Sequence, residues 1–140
     1  MSTATLGSSV VFDASAALRA AVDFDEEALR WFTAVERGEL EAAWPDLALV
    51  EIANGLLRLV RGRVLSEAEA FRVTLRFLSA PVRSEPVAAL TLPALQLAAE
   101  RTLSVYDATY LVLAESLDAQ LVTADRQLAA AAERSVLIGG

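Results

Sequence analysis

The chain has 140 residues, about one domain's worth, with 55% of them hydrophobic and a formal net charge of −7. It contains no cysteine and no histidine, and all 12 basic residues are arginines. Disulfides, thiolate nucleophiles, imidazole bases, cysteine or histidine metal sites and lysine chemistry are therefore excluded.

What remains for chemistry is carboxylates, hydroxyls and guanidinium groups. Carboxylate oxygens suit hard cations such as Mg²⁺ or Mn²⁺. The acidic balance gives no bulk attraction to nucleic acid, so such a substrate needs a local basic patch or a metal bridge. A basic protein partner is electrostatically favoured. No apolar run reaches the ~18 residues of a membrane span. No basic region precedes the first apolar run, so a cytoplasmic location is expected.

In chain order, residues 1–8 read as a loose lead-in, and Ser9 to Asp13 as a short β-branched strand. Ser15 to Val22 looks helical. "DEEALRWFTAVERG" follows, with Asp25 as a cap and Gly38 as a stop. "EAAW" is a strand ended by Pro45. Asp46 then caps a long helix through Val60, stopped by "RGR". Ser66 and Glu69 have capping-box spacing and open a helix to about Leu78. A short strand is expected around Val87, and Thr91 and Pro93 start a helix ending near Thr102. Ser104 opens the next helix, "SVYDATYLVLAESLD". "AQLVTAD" is a strand, "RQLAAAAER" a helix and "SVLIG" a last strand. Repeats, low-complexity linkers and internal boundaries are absent, so residues 1–140 read as one domain. Strands alternating with helices on short loops predict a parallel sheet covered on both faces. Ligands of such sheets bind beyond the carboxyl ends of the strands.

Two acids follow strands, Asp13 after "VVF" and Asp125 after "LVTA". Each also stands where an N-cap would. Asp107 has S-x-x-D spacing from Ser104, another cap reading, yet shares a helix face with Tyr110, Leu111 and Ala114. A charge on an apolar inner face costs several kcal/mol unless it is paired or binds a metal. Glu51 aligns with Asn54, Arg58 and Arg61 in a polar stripe, facing either solvent or a cleft. Each acid has an ordinary reading alone. Together, converging on one crevice, they would repel each other, and a divalent cation resolves that conflict.

The order of these motifs resembles a PIN-domain protein of the VapC type, the toxin half of a toxin–antitoxin pair. The likeness covers roughly residues 9–138. It lies in "DAS" at Asp13, "LVEIANGL" at Glu51, "YDATYLVLAE" at Asp107 and "LVTAD" at Asp125. The resemblance implies a PIN-like three-layer α/β/α fold with a central, mainly parallel sheet. It implies a Mg²⁺- or Mn²⁺-dependent endoribonuclease with Asp13 and Asp107 as principal metal ligands. Glu51 and Asp125 would complete the pocket, directly or through water, with Thr123 and Asn54 in support. Cleavage would leave a 5′-phosphate and a 3′-hydroxyl. The resemblance further implies a homodimer and a cognate VapB-type antitoxin. Trp31 and Phe32 on one helix, and the apolar, basic "LLRLVRGR", are candidate partner surfaces, although both aromatics also suit the core. Arg58, Arg61 and Arg63 are candidate contacts to RNA phosphates or a solvated helix end.

Three rivals stand beside this. A phosphoacceptor receiver domain relies on a lysine, which the chain lacks. A haloacid-dehalogenase-like phosphatase wants D-x-D, where Ser15 stands. A PIN fold without catalysis would serve only to bind its partner.

Overall fold

The computed structural model describes residues 9–22 and 25–139. The lead-in expected at residues 1–8 lies outside them. Five strands, β1 (Ser9–Phe12), β2 (Glu41–Pro45), β3 (Val82–Glu85), β4 (Gln120–Thr123) and β5 (Ser135–Leu137), form one sheet in the order β3-β2-β1-β4-β5. Every pairing is parallel, with Val11 opposite both Ala43 and Leu121.

Among the described residues seven helices connect the strands: α1 (Ala14–Ala21), α2 (Glu26–Glu36), α3 (Leu47–Arg61), α4 (Glu67–Ser79), α5 (Val87–Arg101), α6 (Val105–Leu117) and α7 (Arg126–Ala131). None among the described residues is long and apolar enough to cross a membrane.

The chain begins in the middle of the sheet, moves outward through β2 to β3, then crosses back to the other side for β4 and β5. The order reverses between β1 and β4. Such a switch point opens a crevice at the carboxyl ends of its two strands.

Successive strand residues point to opposite faces, yet Val10, Val11 and Phe12 are all buried. Both faces at the centre are therefore covered, giving the expected α/β/α layering. The outer strand β3, reading VRSE, is mostly exposed and polar, as an edge strand must be to avoid pairing with another chain. On one face Phe12, Phe32, Phe77 and Trp44 form a chain of edge-to-face contacts with ring centroids 5.9, 5.0 and 6.2 Å apart. Each such pair adds about 1 kcal/mol beyond simple burial. Phe32 is thus a core residue, and Trp31 packs half-buried against the same core. α6 lies against β1, β2 and β4, and α1 packs on α3. At that crossing Gly55 leaves room for Leu18. A Cβ there would stand 2.5 Å from Leu18 Cδ1.

Most expected elements are present, and the Ser66–Glu69 capping box forms in full. Three local expectations fail. The strand lies at Val82–Glu85, before Val87, and Val87 opens α5. Thr91 and Pro93 consequently lie inside that helix. Asp46 makes no side-chain bond to α3; its Oδ1 accepts the Val87 N–H at the start of α5, at 3.1 Å. The "RGR" stop works differently from the usual glycine cap, because Arg63, with φ 62°, takes the left-handed position. Its N–H reaches Val60 O and the Val64 N–H reaches Leu59 O, which closes a Schellman motif.

Candidate active site

Asp13 is the first residue past β1 and the N-cap of α1. It is only 5% exposed. Its Oδ1 accepts from the Ala16 N–H at 3.0 Å and from Ser15 Oγ at 2.7 Å. Its Oδ2 accepts from Thr123 Oγ1 at 2.7 Å. The capping reading of Asp13 therefore holds through Oδ1, while Oδ2 reaches across to β4. Burial pushes its carboxyl above the ordinary value; the three donors oppose this, and the Asp125 charge adds to it.

Thr123, the last residue of β4, is fully buried. While donating to Asp13 it accepts the Asp125 N–H at 3.0 Å. Ser15 Oγ likewise donates to Asp13 and accepts the Ala124 N–H at 2.9 Å. Two hydroxyls therefore stitch the ends of β1 and β4 together across the switch point, and the Asp13 N–H adds a bond to Val122 O. Asp125 is exposed, and its Oδ1 caps α7 through the Leu128 N–H.

Asp107 sits in the first turn of α6, half-buried, with its N–H bonded to Ser104 Oγ. Burial and the Asp125 charge raise its carboxyl above the ordinary value. Glu51, on α3, is half-buried too and separates from its stripe: Asn54, Arg58 and Arg61 are exposed. Its Oε1 accepts from Tyr110 Oη at 2.5 Å. Burial raises its carboxyl, and the charges of Asp13 and Asp107 raise it further.

These influences link the four acids in a ring: Asp13 with Asp125, Asp125 with Asp107, Asp107 with Glu51, and Glu51 with Asp13. Among the described residues no ion pair joins any of them to an arginine. Three carboxylates pushed above their ordinary values beside a fourth acid, with no cationic partner among the described residues, fit a hard divalent cation in donor chemistry. As they stand, no three carboxylates among the described residues are close enough to share one ion. Asn54, Arg58, Arg61 and Arg63 bond to none of the four acids.

Two members of the pocket escaped the sequence reading. Ser15 was legible only as the last letter of "DAS". Tyr110 shares a face with Asp107 that reads as apolar, but its hydroxyl gives that face a polar tip.

A family model described as PIN domain matches residues 10–134. Ribonuclease VapC9 of Mycobacterium tuberculosis is 40% identical over 119 residues, covering 85% of this chain and 87% of that protein. The crystal structure of PAE2754 from Pyrobaculum aerophilum shares 28% identity and superposes with a TM-score of 0.73, over 94% of this chain and 90% of that one. VapBC2 from Rickettsia felis, solved bound to a DNA fragment from its promoter, shares the fold at 12% identity. Its TM-score is 0.67, with 93% of this chain and 98% of that one covered. With a domain model spanning nearly the whole chain and a relative alike along most of its length, the chain belongs to the PIN-domain family, in its VapC ribonuclease branch.

Proposed function

We propose that the chain is the toxin of a toxin–antitoxin pair and acts as a Mg²⁺- or Mn²⁺-dependent endoribonuclease. The observation that carries this reading is the placement of Asp13 and Asp125 at the carboxyl ends of adjacent parallel strands, at the sheet's switch point, in electrostatic contact with Asp107 and Glu51. Kinship to a protein named as a ribonuclease supports it.

Asp13 and Asp107 would hold the cation, with Glu51 and Asp125 binding directly or through water. Asp13 is the fixed member, clamped by three donors. The other three are more exposed. When bound, the cation polarises a phosphoryl oxygen and lowers the pKa of a coordinated water. The acids keep the pocket anionic, so an RNA phosphate enters only with a cation. Thr123 and Ser15 hold Asp13 ready. Arg58, about two helical turns beyond Glu51 on α3, with Arg61 and Arg63, offers local positive charge to neighbouring phosphates despite the net charge of −7.

An antitoxin would find an apolar seat between α3 and α4. A groove of about 550 Å³ there is lined by Leu56, Leu57, Val60, Phe71 and Leu75, with Phe71 64% exposed. Exposed apolar surface of this kind marks interaction sites. A second exposed set, Leu92 and Leu95 on α5 with Tyr106 on α6, suits a homodimer contact.

The test is incubation of the purified chain with RNA, with and without Mg²⁺ or Mn²⁺. Cleavage is expected only with metal, and is lost by at least about a hundredfold in Asp13→Ala and Asp107→Ala. Intact RNA under every condition, without antitoxin present, would instead identify a binding module on the same fold.

A further inference from the structure

Tyr110 lies on α6 one turn after Asp107 and is 2% exposed. Its hydroxyl donates to Glu51 Oε1 on α3, and the backbone of Ala14, the first residue of α1 and the one directly after Asp13, lies near it. A single buried oxygen atom therefore stands between the carboxylate of Glu51 and the backbone that carries Asp13.

A buried phenol needs a hydrogen-bond partner, but any carbonyl or water would satisfy it. The choice of Glu51 has a further consequence. Glu51 is half-buried beside two like charges, on a side chain with several free torsions. Unrestrained, it gains by swinging toward solvent, away from Asp13 and Asp107. The contact to Tyr110, at 2.5 Å in the range of a charge-assisted bond, holds it inward against that repulsion. Tyr110 itself cannot follow it out, because its side chain is buried.

We infer that Tyr110 is a positioning residue, which keeps Glu51 turned toward Asp13 and thereby sets how tightly the acidic pocket binds a divalent cation. This rests on the reading of that pocket as the cation site. Tyr110→Phe keeps the ring and removes only the hydroxyl. The experiment is titration of the RNA-free chain with Mn²⁺, followed by the electron paramagnetic resonance of free ion. It compares the wild type, Tyr110→Phe, Glu51→Ala and the double variant.

Tyr110→Phe is expected to weaken Mn²⁺ binding about tenfold, the loss usual when a residue supporting a metal ligand is removed. In the Glu51→Ala background the same change should do nothing further, because Tyr110 acts through Glu51. RNA cleavage by Tyr110→Phe should recover at saturating Mn²⁺, which a general packing defect would not allow. Any loss of fold common to both backgrounds cancels in the cycle. Wild-type affinity in Tyr110→Phe, or a loss that persists undiminished without Glu51, overturns the inference while leaving the cation site standing. A wild-type chain that binds no Mn²⁺ overturns both.

Discussion

Three hydroxyls hold two of the four carboxylates. Ser15 and Thr123 hold Asp13 from two sides, and Tyr110 holds Glu51. Thr123 has the most demanding position, since it is fully buried and bonded in both directions. Thr123→Val keeps the shape and removes the hydroxyl. Asp13 then loses one of its three donors, and the Asp125 N–H is left without an acceptor. Leaving buried polar groups unpaired costs about 1–3 kcal/mol, so the urea midpoint should fall accordingly. Thr123→Ser, which keeps the hydroxyl, should lose much less. Equal stability of Thr123→Val and wild type would show that water replaces the hydroxyl at no cost, and that Asp13 does not depend on it. At this scale the acids were legible, because an aspartate closing an apolar strand is a local signal. Of their hydroxyl partners only Thr123 was legible, through the family resemblance, since it meets Asp13 across 110 residues of sequence; Ser15 and Tyr110 carry no local signal of their bonds.

At the scale of elements, the errors share one cause: signals that act between segments. Asp46 has the residue type and place of a cap for α3. In the fold it stands in helical conformation, and its carboxylate serves α5, 41 residues on, while its N–H bonds Glu85 O at the end of β3. With its first amide satisfied from outside, α5 starts at Val87 with no local cap of its own, behind Pro86. Thr91 and Pro93, ordinary start signals, lie a turn or more inside. Thr91 bonds back to Val87 O, and Pro93, which offers no N–H, sits on the exposed side where water can serve the unpaired carbonyl. Asp46→Ala should therefore cost about 1 kcal/mol, the usual worth of a cap. Amide hydrogen exchange would locate the loss. The Val87 amide should exchange faster, with the first turn of α3 unchanged. Faster exchange confined to the start of α3 would restore the local reading. By contrast, the Ser66–Glu69 box, whose members lie three residues apart, formed as read.

For the whole molecule, the acidic pocket trades stability for a place to bind a cation, and pH exposes the trade. Asp13, Glu51 and Asp107 all bind protons more tightly in the fold than their ordinary values of 3.8, 4.5 and 3.8, chiefly because burial penalises the charge. A group raised in this way leaves stability whole below its ordinary value and erodes it as pH rises through its value in the fold. The metal-free chain should thus grow more stable as pH falls toward the ordinary values of these acids, 3.8 to 4.5, opposite to the usual loss when paired carboxylates are protonated. Glu69, held below its ordinary 4.5 by its bonds to Ser66, works the other way only below 4.5. Mn²⁺ should reverse the slope. It binds the fold in competition with protons, so at about a hundredfold excess over its dissociation constant it adds about 2.7 kcal/mol near neutral pH. As the acids take up protons it adds less. Urea midpoints across this range, with and without Mn²⁺, measure both effects. A metal-free midpoint that stays level or drops toward pH 5 would mean that the three acids are not jointly strained in the fold. The physical case for a cation at this crevice would then lose its footing.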